Sequence, residues 1–150
     1  MRMKISDLAG AAMAVLVSAL SLPGSAVAQN LAGHWQCQMG YAEYTAQGYL
    51  RGHSREFNLV LHPNGVFEAA GVMMSGAGPD PFQLRGNWRF NPQTGEVEAP
   101  GTAYHQSGSQ GFMDVGGRVS PDGRVIQHDI RQPDSTGSYI AQQLAMICQR

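Results

Sequence analysis

Apolar and polar side chains alternate along most of the chain after residue 33. In the run from Phe82 to Phe90, FQLRGNWRF, apolar residues and one glycine take every second position and polar residues take the positions between. A period of two is typical of a β-strand with one buried face. The same region shows no convincing spacing of three to four residues, which would mark an amphipathic helix. The pattern therefore predicts an all-β domain.

A turn signal repeats at a fixed interval within this region. Pro63, Pro92 and Pro121 are spaced 29 residues apart, and each is followed two or three positions later by a glycine. Proline presets φ and glycine supplies a positive φ, as a tight hairpin turn requires. The equal spacing predicts an antiparallel meander with two strands in each repeat.

The alternating runs and the turns together predict eight strands. They cover residues 33–42, 55–62, 65–72, 82–91, 96–103, 111–119, 123–131 and 138–149. The fifth is weakened by Pro100, which has no N–H for a ladder. The sixth has two possible inner faces, one with Phe112 and Asp114 and the other with Met113 and Val115. The inner face of the other strands is predicted to carry Trp35, Phe57, Leu59, Leu61, Phe67, Phe82, Leu84, Trp88, Phe90, Ile126, Ile130, Leu144 and Met146.

The first 28 residues have the features of a secretory signal peptide. A basic start with Arg2 and Lys4 precedes an apolar run from Leu8 to Leu22, and Ala26-Val-Ala28 has the small-residue form of a cleavage site. The apolar run is shorter than the roughly 20 residues that a membrane span needs. We expect residues 1–28 to be removed and residues 29–150 to form one periplasmic or secreted domain. The alternative is an uncleaved N-terminal anchor.

The two cysteines of the chain, Cys37 and Cys148, fall in the first and last predicted strands. A pair of cysteines in an exported protein predicts a disulfide rather than two free thiols. Such a bond makes the first and eighth strands antiparallel neighbours, which closes the meander into an eight-stranded up-and-down barrel. In that register Trp35 faces Arg150 and Tyr44 faces Ala141. A guanidinium over the Trp35 indole contributes roughly 0.5–2 kcal/mol.

Composition excludes several classes of function. The formal net charge is −1 and only 14% of residues are charged, so a nucleic-acid binder, which needs a basic face, is not expected. Lys4 is the only lysine, which excludes Schiff-base chemistry from the predicted mature domain. The histidines form no recognised metal motif and G-x-S-x-G is absent. We therefore predict no catalytic residue, no metal and no cofactor.

The start of the predicted domain resembles a known family. Gly33-His34-Trp35 is similar to the G-x-W that opens the first strand of lipocalins and the wider calycin group, and Arg150 fits the basic residue that packs over this tryptophan in that family. The family's T-D-x motif before the seventh strand is replaced here by Ser120-Pro-Asp-Gly123. The resemblance implies a lipocalin-like barrel, a fold that carries many functions.

Alternate connections of an up-and-down barrel share one end, and here the longer ones all fall at the end opposite the Pro/Gly turns. They are predicted over residues 43–54, 73–81, 104–110 and 132–137. Loops on a rigid scaffold commonly carry binding residues. The predicted ligand-binding residues on this end are Tyr44, Tyr49, His53, Met73, Met74, Tyr104 and His105. The alternative is that these connections are long without a function.

Barrel size limits what the domain can hold. Eight strands enclose side chains or one small ligand, and the predicted inner face is rich in large residues. The sequence therefore predicts a non-enzymatic binding protein that holds a small apolar or aromatic ligand at the mouth. A protein-binding module, such as an inhibitor of a secreted or periplasmic hydrolase, is the alternative.

Two chemical alternatives depend on residues that could meet at the same end. A small hydrolytic enzyme requires His105, Asp134 and a serine to converge there. A soft-metal site requires His53 and His105 to meet beside Met73 or Met74. His128 lies on an apolar strand face, where we expect a core or rim histidine, and a ligand is the alternative.

Overall fold

The computed structural model describes residues 30–150, so the predicted signal peptide lies outside this range. The described part of the chain forms one antiparallel sheet of eleven strands. They are β1 (Gly33–Thr45), β2 (Gly48–Leu61), β3 (Val66–Ser75), β4 (Gly78–Asn87), β5 (Arg89–Asn91), β6 (Glu96–Glu98), β7 (Pro100–His105), β8 (Gln110–Asp114), β9 (Gly117–Val119), β10 (Val125–Pro133) and β11 (Ile140–Gln149). The predicted all-β antiparallel class is confirmed.

The first and last strands are neighbours, as predicted. The sheet order is β5-β6-β9-β10-β11-β1-β2-β3-β4-β7-β8. Cys37 faces Cys148 across the β1–β11 ladder, and a disulfide joins their sulfur atoms. The guanidinium of Arg150 lies 4.7 Å from the centre of the Trp35 ring, as the predicted register requires. The ladder ends at Glu43 and Gln142, one pair before the predicted Tyr44–Ala141 pair.

Three of the eight predicted strands are each interrupted, which raises the count to eleven. The interruptions fall at Trp88, at Ala99 and at Val115-Gly116. On one side of the interruptions β3 pairs with β4, β4 with β7 and β7 with β8. On the other side β5 pairs with β6, β6 with β9 and β9 with β10. The ladder therefore ends at β5 and β8, and the sheet is a curled half-barrel rather than a hydrogen-bonded ring. Gly116 has room for no side chain there, because a Cβ atom would collide with the carbonyl oxygen of Val97.

The two ends of the curled sheet differ in their connections. At the end that we call the floor, the three Pro/Gly turns each contain a glycine with positive φ, namely Gly65, Gly95 and Gly123. The opposite end, the mouth, was expected to carry long loops, but its connections are only residues 46–47, 76–77, 106–109 and 134–139. The first two long loops were wrongly predicted, because the strands keep pairing there after the apolar alternation stops, whereas the third is shorter than predicted and the fourth has the predicted length, shifted by two residues.

The buried core occupies the concave face of the sheet. The largest fully buried side chains are Trp35, Phe67, Leu31, Leu59, Leu61, Leu84, Ile126, Val115 and Cys148. Met113 and Val115 point inward, while Phe112 is 77% exposed and Asp114 is also exposed, so the open question about the sixth predicted strand is settled. Ile130 lies opposite the inward-facing Leu144, as predicted, but about half of its side chain is exposed. Residues 30–150 include no helix that is long and apolar enough to cross a membrane.

Candidate ligand-binding site at the mouth

The inner face of β2 changes from apolar to polar as it approaches the mouth. Phe57, Leu59 and Leu61 are buried, and the same alternation places Arg55 and His53 on the inner face nearer the mouth. Residues directly opposite each other in neighbouring strands share a face of the sheet. The register therefore sets Arg55 in a row with Met39 of β1, Met73 of β3 and Asp80 of β4.

Arg55 is a half-buried cation in an apolar setting. Its Nη1 donates to the Met39 sulfur at 3.7 Å, and its guanidinium carbon lies 5.9 Å from the centre of the Phe82 ring. Its Nε is enclosed and has no hydrogen-bond partner among residues 30–150. Burial lowers the pKa of Arg55, although a guanidinium keeps its charge at any physiological pH.

His53 lies beside this guanidinium. Its ring stacks on Tyr41 with centroids 5.0 Å apart, and its Nε2 is enclosed without a partner in the described range. Burial lowers the pKa of His53, and the neighbouring charges of Arg55 and His105 lower it further. His53 is therefore neutral at neutral pH. The Tyr41 hydroxyl donates to Glu43 at 2.5 Å.

His105, at the end of β7, closes the other side of the cluster. Its side chain is only 7% exposed and packs on Phe82 with ring centroids 5.5 Å apart. Its Nδ1 lies 3.1 Å from Asp80 Oδ2, within ion-pair distance, but the ring N–H is not aligned for a hydrogen bond. Ser107 donates to Asp80 twice, from Oγ at 2.7 Å and from its backbone N–H at 3.0 Å. The Ser107 hydroxyl is the main cause of the lowered pKa of Asp80.

The convergence that a hydrolytic triad requires is not found. Ser107 donates its hydroxyl to Asp80 and not to a histidine nitrogen, so no general base activates it. Asp134 instead accepts hydrogen bonds from Thr136 and Ser138 within its own turn. The condition set for a hydrolytic enzyme, that His105, Asp134 and a serine converge, is therefore not met by these contacts.

The predicted site residues separate into three groups. His53, Met73 and His105 face inward at the mouth. Met74 and Tyr104 alternate with them and are exposed on the outer face. Tyr44 and Tyr49 pack edge to face on each other beside the β1–β2 turn, with ring centroids 6.1 Å apart.

Arg55 and Asp80 were absent from the predicted binding set. The alternation of Phe57, Leu59 and Leu61 could have revealed Arg55 had it been continued toward the start of β2. Within the described residues no three His, Cys, Asp or Glu side chains are grouped to hold a metal ion. His128 is half-buried and faces Met146.

A comparison with models of known protein families and with curated proteins finds no match to this chain. The resemblance to lipocalins therefore still depends on the G-x-W residues and the Trp35–Arg150 contact. What the protein does has to be inferred from the mouth.

Proposed function

We propose that this chain is an exported binding protein of lipocalin-like fold that holds one small apolar or aromatic ligand at the mouth. One observation carries the proposal. The buried side-chain polar atoms without a hydrogen-bond partner in residues 30–150 are His53 Nε2, Arg55 Nε and His105 Nδ1. His105 Nδ1 has the Asp80 carboxylate 3.1 Å away, so the two atoms of β2 carry the argument. Buried polar atoms are normally satisfied, and two unpaired ones on the same strand near the mouth favour a site that a molecule from outside completes.

Apolar side chains beside these atoms supply the remainder of the site. Met39 and Phe82 are buried, and Met73 and Leu144 are partly buried against the same core. Methionine adapts its shape to different ligands, and an aromatic ring contributes a large apolar surface. This composition suits a small ligand that is mainly apolar.

Export and the compartment are part of the proposal. The Cys37–Cys148 disulfide indicates an oxidising compartment, where such bonds persist. Together with the signal features of residues 1–28, it supports a periplasmic or secreted location.

A protein-binding module is the second candidate. Large apolar side chains are exposed on the outside near the mouth, and they include Tyr49, Leu50, Met74, Tyr104 and Phe112. Exposed aromatic and methionine side chains are enriched in protein interfaces. An inhibitor of a secreted or periplasmic hydrolase would use this outer surface instead of the inner one.

A neutral fluorescent probe tests the small-ligand function. N-phenyl-1-naphthylamine brightens in an apolar site, and we expect saturable one-to-one binding to the full-length chain after export and purification from a bacterial periplasm. Met73→Gln places an amide on the inner wall and should weaken binding about tenfold, the order expected for losing one buried apolar side chain.

Met74→Gln is the matched control, because Met74 is the next residue of β3 and points outward. It should leave binding unchanged. Absence of saturable binding, or an equal loss in both variants, would contradict the small-ligand function.

A further inference from the structure

We propose that the ligand has one anionic head group, a carboxylate, sulfonate or phosphate, which Arg55 binds between His53 and His105. This inference depends on the proposed function, since it specifies the ligand of the same site. It goes beyond that function because an apolar site alone sets no charge on its ligand.

The first step is the mismatch between Arg55 and its surroundings. A buried cation is costly unless an anion or several acceptors compensate it. Met39 provides a thioether, a weak acceptor and the one hydrogen-bond partner of the Arg55 side chain among residues 30–150. Phe82 adds the face of an aromatic ring. A strong acceptor for the guanidinium is therefore missing.

The second step is that the carboxylates of the mouth are engaged elsewhere. Asp80 faces Met73, not Arg55, and is held by Ser107 and His105. Glu43 pairs with Arg51 and accepts from Tyr41. None of the ion pairs in the described part of the chain includes Arg55, so no carboxylate there lies within 4 Å of it.

The third step is that the imidazole of His53 has a nitrogen to spare. His53 Nε2 is enclosed without a hydrogen-bond partner in the described range, whereas His105 Nδ1 lies 3.1 Å from the Asp80 carboxylate. A ring nitrogen that carries a proton is a donor. An oxyanion could accept from the Arg55 fork and from His53 together, which satisfies orphan atoms at two inward positions of β2.

These steps define the chemistry of the ligand. An arginine fork matches the planar or tetrahedral oxygens of a carboxylate, sulfonate or phosphate. The apolar neighbours Met39, Met73 and Phe82 then contact a body without charge. A cationic ligand is disfavoured, because it would approach an uncompensated guanidinium.

Two dyes that share one ring system test the inference. 1-Anilinonaphthalene-8-sulfonate differs from N-phenyl-1-naphthylamine by its sulfonate. We expect the wild-type chain to bind the sulfonate dye about tenfold or more tightly than the neutral dye at neutral pH, as a charge-assisted contact predicts. Arg55→Gln should abolish that preference, so that the affinities for the two dyes come within about twofold of each other.

Arg85→Gln is the control for charge, because Arg85 is an exposed residue of β4. It removes the same charge and should preserve the preference. Should Arg55→Gln fail to fold, Arg55→Met offers an apolar side chain of similar length for the space beside Met39 and should show the same loss.

The outcomes separate the two proposals. If neither dye binds the wild-type chain, the proposed function itself fails. If both dyes bind equally, or if Arg55→Gln keeps the sulfonate preference, only the anionic head group is overturned. An equal loss in Arg55→Gln and Arg85→Gln also overturns it, because that result indicates nonspecific attraction to positive charge.

Discussion

Glycine at inward positions lets aromatic rings lie directly on the sheet. The Phe67 ring covers Gly86 of β4 and Gly101 of β7, and Phe57 lies beside Gly71 of β3. A Cβ atom on Gly86 would lie 2.6 Å from Phe67 Cε1 and still closer to the carbonyl oxygen of Pro100. These positions exclude even one methyl group because the obstacle includes backbone.

We expect Gly86→Ala to lower the free energy of unfolding by about 1–3 kcal/mol, the usual cost of overpacking a core. Gly40→Ala is the control, since a Cβ atom on this strand glycine meets nothing within 4 Å. Urea unfolding followed by tryptophan fluorescence measures both. Similar free energies of unfolding for the two variants would mean that Phe67 and the Pro100 carbonyl can both shift at no cost.

Residue-level prediction succeeds where one strong physical rule acts alone. Cys37 and Cys148 could be paired from the predicted compartment, and that pairing placed Arg150 over Trp35. Arg55 escaped prediction because a charged residue in a strand is normally assigned to the solvent face. Its inward position follows from the neighbouring strands and cannot be read from its own chemistry.

At the scale of elements, Asp80 ties β4 to the β7–β8 turn through Ser107. The folded protein lowers the pKa of Asp80 below its ordinary value of 3.8. A depressed carboxyl pKa stabilises the fold fully above the unfolded value, and that contribution disappears as the pH falls through the folded value. The tie should therefore be present at neutral pH and lost in strong acid.

We expect Asp80→Asn to have a lower melting temperature than the wild type at pH 7, and this gap to close as the pH falls below about 3.8, the ordinary aspartate pKa. Thermal unfolding at pH 2–7 gives the gap directly. Asp129→Asn, at an exposed position of β10, should show little difference at pH 7. A gap for Asp80→Asn that stays constant with pH would show that the carboxylate charge is not what ties the turn.

Strand interruptions were not predictable from alternation. The inward positions continue from Leu84 through Trp88 to the half-buried Phe90, so the period of two passes unbroken across the point where pairing partners change. Partner choice depends on the curvature of the whole sheet, which is a tertiary property. Near the mouth the pattern fails in the opposite way. Residues 48–52 belong to β2 and lie against β1, but apolar and polar side chains do not alternate there, so the sequence predicts a loop.

At the scale of the whole molecule, the disulfide joins residues 111 positions apart. Chain-entropy arguments assign about 4–5 kcal/mol to a loop of this length. We expect the Cys37→Ser/Cys148→Ser double variant to lose about 4 kcal/mol of unfolding free energy, measured by urea unfolding. Reduced wild type should match the double variant, and a loss below about 1 kcal/mol would mean that the β1–β11 ladder holds without the bond.

The fold class, the β1–β11 pairing and the floor turns could all be predicted, because each depends on local patterning or on one covalent constraint. A closed ring of eight strands could not be distinguished from a curled sheet of eleven. Both satisfy the same inward and outward positions, and only the path of hydrogen bonds separates them.

The interruptions at Ala99 and at Val115-Gly116 have a mechanical consequence. β7 and β8 connect to the floor strands β6 and β9 through these one or two residues, and the ladders on the two sides have different partners. Any tilt of β7 and β8 has to carry β4 with it, because the β4–β7 ladder runs from the Phe82–His105 pair to the Gly86–Gly101 pair. The wall of the mouth that carries His105 therefore moves with β4, and its ladder hydrogen bonds are separate from those of the floor strands.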